Sequence, residues 1–260
     1  MYDRIQHGCG QEDEMLTEER KNQILKRVEQ NGGVSVQELM MLLDASESTI
    51  RRDLNELDKK GLLVKVHGGA MSASKNITAD SSVSERVDLN RDKKIQIARY
   101  AASLITEEDV VFLDAGTTTG FVVDYLTVKN TIFVTNAIDH ARKLCLLGYQ
   151  VYMPGGLVKT RTEALTGNET CEYLKKFHFT KGFFGTNGVT LKEGFTTPDI
   201  QEAAVKEVAV RHTQNRYILC DSSKFDKIST VTFAEFADVN VITDQELPRE
   251  YGEYDNIVMV

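Results

Sequence analysis

Two groups of residues in this 260-residue chain have types and spacings that could do chemistry. The first begins after the apolar run Val110-Val-Phe-Leu113, where Asp114 is followed by Gly116, Thr117, Thr118, Thr119 and Gly120. A carboxylate at a strand terminus, then a glycine-hydroxyl loop opening a helix, brings backbone N–H groups and three threonine hydroxyls toward one anion site. Asn136, the pair Gly155-Gly156, Asn187 and Lys224 each follow a further apolar run. An anion loop, amides and a carboxylate for hydroxyls, and a lysine cation are what a phosphorylated polyol needs. The second group lies between Ser46 and Gly69. Ser48, Thr49, Arg51, Arg52 and Asn55 fall opposite the apolar stripe Ile50, Leu54, Leu57 of one helix. Arginines near a helix start can fork to guanine edges while serine and threonine hydroxyls bond phosphates or bases, which suits the major groove of double-stranded DNA.

Each feature alone has a plainer reading. Paired arginines also mark a solvated helix face, and a glycine after a strand is commonly a turn. Order and convergence decide the matter, because caps, turn, Arg-Arg pair and wing follow one another at the spacing of a helix-turn-helix unit, and five loops end strands of one sheet.

The elements that must position the DNA face can be read locally. Ser46 is an N-cap and Gly61 a C-terminal stop for the recognition helix. Ser35-Val-Gln-Glu38 is a capping box opening a second helix with Val36, Leu39, Met40 and Leu43 on one face. Asp44-Ala-Ser46 makes a tight turn between the two. A first helix spans Glu18 to Gln30 with Ile24, Leu25 and Val28 inward, ended by Asn31-Gly-Gly33. After Gly61 the period becomes two, with Leu62, Val64 and Val66 pointing one way and Leu63, Lys65 and His67 the other. Gly68-Gly69 closes the wing, which offers Lys65 and His67 to DNA, His67 being equally readable as a plain hairpin residue. Asp53 is expected to orient an arginine through an ion pair.

From Asn90 onward a helix with Ile95, Ala98, Ala102 and Ile105 on one face precedes alternating strands and helices. Strands are expected at Val110–Asp114, Thr131–Thr135, Gln150–Met153, Gly182–Gly185, Tyr217–Asp221 and Val239–Thr243, and the final helix at Ile200–Arg211. Apolar strands alternating with helices mean an open, largely parallel sheet, whose ligands sit beyond the carboxyl ends of the strands. The stretch Met71–Ser84, rich in serine and alanine, reads as a linker. The expected organisation is therefore an extension without structure over residues 1–16, a winged helix-turn-helix domain over 17–72, a linker over 73–89 and an open α/β domain over 90–260.

Charge divides the chain in the same way. Residues 17–75 hold 10 Lys/Arg against 9 Asp/Glu, whereas residues 76–260 hold 20 against 26. The acidic part should stay off DNA, and the thin net charge of the first part calls for a homo-oligomer, a dimer or tetramer, to double the contact set. Cys9, Cys145, Cys171 and Cys220 lie far apart without a CxxC, so no metal site or disulfide framework is indicated. No apolar run of transmembrane length or signal-peptide core occurs, so no membrane partner and a cytoplasmic location are expected. No cofactor is implied either, since Gly116-Thr-Thr-Thr-Gly120 is not a GxGxxG dinucleotide loop.

Thr17-Glu-Glu-Arg-Lys-Asn-Gln-Ile-Leu25, Ser48-Thr-Ile-Arg-Arg-Asp-Leu54 and Gly61-Leu-Leu-Val-Lys-Val-His-Gly-Gly-Ala70 resemble the winged-helix domain of the DeoR family of bacterial repressors. Asp114-Ala-Gly-Thr-Thr-Thr119, Asn136, Gly155-Gly156, Gly194-Phe-Thr-Thr197 and Asp221-Ser-Ser-Lys-Phe225 are similar to motifs of that family's sensor domain, itself related to ribose-5-phosphate isomerase. The resemblance implies a sugar-operon repressor, released by a phosphorylated sugar such as fructose 1-phosphate or, next, tagatose 6-phosphate. The rival reading is a sugar-phosphate isomerase with a helical appendage, using Asp114 and Lys224 as acid–base groups. Asn187 stands where many relatives carry aspartate, and an amide cannot act as a general base, which argues against catalysis.

Overall fold

Capping chemistry and apolar stripes set the first unit of the computed structural model, which describes residues 9–31, 33–60, 62–66, 68–72 and 83–260. Its elements are α1 (Cys9–Asn31), β1 (Gly33–Ser35), α2 (Val36–Leu43), α3 (Glu47–Lys59), β2 (Leu63–Val66) and β3 (Gly69–Ser72). The Ser35 hydroxyl accepts from the Glu38 amide at 3.1 Å while the Glu38 carboxylate accepts from the Ser35 amide at 2.9 Å, completing the expected capping box. Asp44 ends α2 in the left-handed region at φ 46°, which turns the chain sharply into α3. Ile24, Val28, Leu39, Ile50, Leu54, Leu57 and Leu63 form the buried core beneath the helices.

One expectation changes here. Helix α1 begins at Cys9, whereas the sequence alone predicts no structure over residues 1–16; residues 1–8 lie outside the described residues. In the wing Leu62 and Leu63 do fall on opposite sides, Leu63 buried and Leu62 exposed, because β2 turns its Leu63 face onto α3. Strand β3 lies between β1 and β2, antiparallel to both. A Cβ on Gly69 would stand 2.2 Å from the Val34 carbonyl oxygen, so only glycine lets β3 approach β1 so closely.

The chain divides into two compact units, Met1–Asn76 and Ile77–Val260. The second contains α4 (Val83–Val87), α5 (Arg91–Ser103), β4 (Val110–Leu113), α6 (Thr117–Val123), β5 (Ile132–Thr135), α7 (Ile138–Leu146) and β6 (Gln150–Tyr152). It continues through β7 (Leu157–Lys159), β8 (Ala164–Thr166), α8 (Asn168–Leu174), β9 (Phe179–Gly185), β10 (Gly188–Thr190) and β11 (Gly194–Thr197). It ends with α9 (Ile200–Arg211), β12 (Thr213–Leu219), β13 (Val231–Ala234), β14 (Asn240–Thr243) and β15 (Ile257–Met259). Helix α4 falls inside the span expected to be linker, and it belongs to the second unit.

Seven parallel strands run in the order β6-β5-β4-β9-β12-β14-β15. Period-two alternation sends neighbouring side chains to opposite faces. Val111, Leu113, Phe133, Phe183, Leu219 and Ile242 pack with Ile97, Ala98 and Val122 of the helices on one side. Phe112, Val134, Phe184, Ile218 and Val241 pack with Leu174, Val205 and Ala209 on the other. A sheet buried on both faces is what continuous apolar strands require. Strand β9 starts at Phe179 and β12 at Thr213, ahead of the apolar stretches that announce them, because the pairing Phe179↔Thr213 extends the ladder through polar residues. The β7–β8 hairpin and the antiparallel trio β10-β11-β13 had no sequence expectation; their strands are short and carry little alternation.

Candidate functional site

The residues expected to meet DNA are gathered on α3 and the strand that follows it. Ser46 caps the helix, its hydroxyl accepting from the Thr49 amide at 3.3 Å and lying 3.0 and 2.9 Å from the Ser48 and Thr49 hydroxyls. Arg51 and Arg52 are exposed, and the Arg51 Nε donates to Glu47 one turn earlier at 2.7 Å. A solvated i,i+4 pair contributes only about 0.3–0.5 kcal/mol, so Arg51 can exchange Glu47 for another acceptor at small cost. Lys65 does not swing free: its backbone N–H donates to Asp58 at 3.0 Å and its Nζ to Asn55 at 2.7 Å, which ties the wing to α3. His67 lies outside the described residues. Asp53 does hold an arginine, as expected, yet a distant one. Arg20 of α1 donates to both its carboxylate oxygens, at 2.6 and 3.3 Å, in a bridge whose aspartate is almost wholly buried. The fork fixes α1 against α3.

In the second unit a pocket opens at the carboxyl ends of β4, β9 and β12. This is the topological switch point: from β4 the chain adds β5 and β6 on one side, and β9, β12, β14 and β15 on the other. Asp114, Gly116, Thr117, Thr118, Asn187 and Lys224 line it, as the sequence suggests. Arg86, Lys94, Thr162, Glu202, Lys206 and Asp221 line it as well.

The remaining expected residues serve the scaffold. Thr119 is wholly buried, its hydroxyl donating to the Asp114 carbonyl at 2.6 Å and accepting from the Gly116 amide at 3.0 Å, so it shapes the loop rather than meeting a ligand. Asn136 is also buried, with its amide given to the Leu165 carbonyl at 3.1 Å, which fastens β8 to the end of β5. Gly155 and Gly156 do not line the pocket. Gly156 has φ 142°, and a Cβ there would meet the Thr170 hydroxyl at 2.2 Å, so this glycine lets the chain pass over α8.

Charge organises the pocket. The Lys206 ammonium bonds the Asp114 carboxylate and, at 2.9 Å, the Gly185 carbonyl, while Asp114 also accepts from the Gly185 amide at 3.0 Å. Asp221 is buried and accepts from Asn90 at 2.9 Å and from the Ser223 amide at 3.0 Å. The Lys94 ammonium bonds the Arg86 carbonyl. Burial pulls Lys94 down to about 8, against the nearby Asp221, with Lys224 and Arg86 adding to the fall. Burial likewise lowers Lys224, again opposed by Asp221. Four cations thus line the pocket with three carboxylates, Asp114, Glu202 and Asp221, and burial weakens the hold of two of the lysines, Lys94 and Lys224, on their protons. An entering anion would relieve both.

Lys94 and Lys206 were the residues that motif reading missed, although each leaves a signal. Lys94 stands at buried-face spacing with Ile97, Ala98 and Ala101 on α5, and Lys206 does so with Ala203, Ala209 and Val210 on α9. A lysine on an apolar stripe has to be facing a partner or a ligand.

A helix-turn-helix unit joined to an α/β unit with a polar pocket at its switch point defines a ligand-sensing, DNA-binding transcriptional regulator. Residues 20–76 match the model of the DeoR-like helix-turn-helix domain, and residues 89–245 match that of the DeoR C-terminal sensor domain. The chain belongs to the DeoR family of transcriptional regulators and is not an enzyme. It is 40% identical over 247 residues to the uncharacterized HTH-type transcriptional regulator FruR of Bacillus subtilis, covering 95% of this chain and 98% of that one. It is 34% identical over 229 residues to the B. subtilis regulator IolR, covering 87% and 90%. With the lactose phosphotransferase system repressor of Staphylococcus epidermidis it shares 36% over 231 residues, covering 87% and 91%. Ribose 5-phosphate isomerase A of Methanocaldococcus jannaschii superposes with a TM-score of 0.38 at 14% identity, over 52% of this chain and 55% of that one. Among the described residues, no helix is long and apolar enough to cross a membrane.

Proposed function

We propose that this protein represses a sugar-utilisation operon in the cytoplasm and leaves its operator when a phosphorylated sugar fills the pocket at the β4–β9–β12 edge. The observation that carries the reading is the pair Lys94, buried, and Lys224, half-buried, both lowered by desolvation at the edge of the pocket beside carboxylates able to accept sugar hydroxyls. The phosphate would take Lys94, Lys224 and the Thr117 and Thr118 hydroxyls. Asp221, Glu202 and the Asn187 amide are left for the polyol. Fructose 1-phosphate is the first candidate and tagatose 6-phosphate the second. A sugar operon is supported by relatives named FruR and lactose phosphotransferase system repressor.

On the operator, Ser48, Thr49, Arg51 and Arg52 would read the groove, with Ser46 capping behind them and Lys65 and His67 at the wing phosphates. A homo-oligomer, dimer or tetramer, would span two half-sites. Helix α4 offers a route for the signal, since it supplies Arg86 to the pocket and its Val83 amide bonds the Arg161 carbonyl at 3.3 Å beside pocket-lining Thr162. A sugar that prefers the arrangement unfit for DNA shifts the population and lowers occupancy.

The test is a panel of phosphosugars read by melting temperature and by release of a selected genomic fragment at fixed salt. A ligand of the folded state must raise the melting point. Stabilisation and release by fructose 1-phosphate supports the assignment, whereas stabilisation by another sugar alone moves the effector, and release by none removes the sensor reading.

A further inference from the structure

We propose that the β6 edge of the sheet, with the uncharged segment Leu144–Val158 around it, is the face through which two copies of this chain pair. This goes beyond the assignment of operator and effector and depends on neither.

The segment reads Leu-Cys-Leu-Leu-Gly-Tyr-Gln-Val-Tyr-Met-Pro-Gly-Gly-Leu-Val, 15 residues without a charge in a chain that is 27% charged. Leu144 belongs to the core and Tyr149 and Val151 pack against it, but five other apolar side chains of the segment stay in solvent. Leu146 is 75% exposed, Leu147 59%, Leu157 62%, Val158 44% and Met153 43%. Single exposed apolar residues are ordinary, but a run of them on one segment marks an interaction surface.

The fold gathers this segment along an open edge. Helix α7, ending at Leu146, packs against β6, and Met153 follows directly on β6. Among the described residues β6 pairs with β5 alone, so its outer backbone groups face away from the sheet. Open edges are usually guarded by charge. The opposite edge, β15, is approached through Glu250, Glu253 and Asp255, whereas Gln150, Val151 and Tyr152 of β6 and the residues on either side are uncharged, and Lys129 lines the same cavity as Leu147–Gln150. The flanking charges are engaged within the unit: Lys143 with Asp124 and Asp139, and Lys159 with Asp199 and Glu202.

A second copy fits this face better than any charged partner. Residues 76–260 carry 20 Lys/Arg against 26 Asp/Glu, so two such units repel except where neither bears charge. A two-fold axis beside β6 sets the uncharged segment against itself, lets the two edge strands pair antiparallel, and holds the acidic surfaces apart. DNA finds no cation on this segment to hold it, which leaves the operator to the other unit.

The test is the mass of the full-length protein in solution by light scattering, without DNA or sugar, for the wild type, the double variant Met153→Glu with Leu157→Glu, and the control Met259→Glu on the opposite edge. Both altered β6-side positions are exposed, and circular dichroism spectra matching the wild type would show that the variants fold. The expected result is that the double variant halves the mass while Met259→Glu preserves it. A wild type that is monomeric at tens of micromolar, a double variant of unchanged mass, or a loss of mass caused equally by Met259→Glu would each overturn the proposal. Because the readout needs neither operator nor effector, it leaves the sugar assignment untouched whichever way it falls.

Discussion

The exposed face of α3 takes its functional side chains from ten consecutive positions, Ser46 to Asn55, whereas the pocket collects its own from Arg86 to Lys224 on separate loops and helices. The first is a solvated surface in a unit close to neutral, where Arg51 and Arg52 stand exposed. The second is an enclosure in an acidic unit, where burial pulls lysines below their ordinary range and each cation is set among carboxylates. A surface reader can be assembled from local helix geometry, because water solvates its charges until the partner arrives. A pocket for a charged ligand has to assemble its counter-charges from across the chain, since only the closed tertiary structure removes the water.

That contrast breaks most sharply at the buried ion pairs. Replacing Lys206 by Met leaves the Asp114 carboxylate buried without its cation, which should cost about 3–5 kcal/mol. The expected outcome in calorimetry is a lower melting point for the second unit and a lost sugar response, with the first unit unchanged. Asp53→Ala makes the complementary cut, since it removes the buried carboxylate that Arg20 forks onto and leaves the Lys21–Glu56 bridge to hold α1 to α3. It should cost a similar amount, about 3 kcal/mol or more, but in the first unit, with DNA affinity lost while sugar-induced stabilisation of the second persists. If either substitution lowered both transitions equally, the two units would not be energetically separate.

Smaller effects sharpen the comparison. Arg52→Ala should weaken operator binding by about 1–3 kcal/mol if its guanidinium reads a base, with no change in melting point. Equal affinity for wild type and variant in a gel-shift titration would take Arg52 out of the readout. The pocket should respond to pH where the DNA face does not. Lys94 is held to about 8 in the folded chain against an ordinary 10.5, so between those values the unfolded chain binds the extra proton. Its contribution therefore makes the ligand-free second unit more stable as pH rises from about 8 toward 10.5. A phosphate that needs the ammonium reverses the dependence, and sugar affinity should fall over the same window by up to about tenfold per pH unit. Calorimetric titrations of wild type and Lys94→Met check this, and a profile of equal slope in the variant would remove Lys94 from the ligand.

The same division governs what could be read without coordinates. The capping box at Ser35, the turn at Asp44 and the apolar stripe of α3 are local codes, and each appears where the sequence puts it. The boundaries that moved are those with no local mark, such as the polar starts of β9 and β12, where a neighbouring strand extends the ladder. Thr119 and Asn136 carry the right chemistry in the right motifs, yet a hydroxyl that closes its own loop and an amide that fastens a hairpin are hidden from any linear reading.

What the sequence by itself determined is the winged helix-turn-helix, the alternation of the main helices with the strands of the parallel sheet other than β15, and the strand ends that could meet a ligand. Periodicity, caps and turn residues act over a few positions, so they survive in one dimension. Only the tertiary structure decided which of those ends face one another, that Arg20 rather than a neighbour grips Asp53, and that Lys94 and Lys206 enter the pocket. The Arg20–Asp53 and Lys206–Asp114 pairs join residues 33 and 92 positions apart, and they are selected by the cost of burying a charge alone, which exists only once the chain has closed around it.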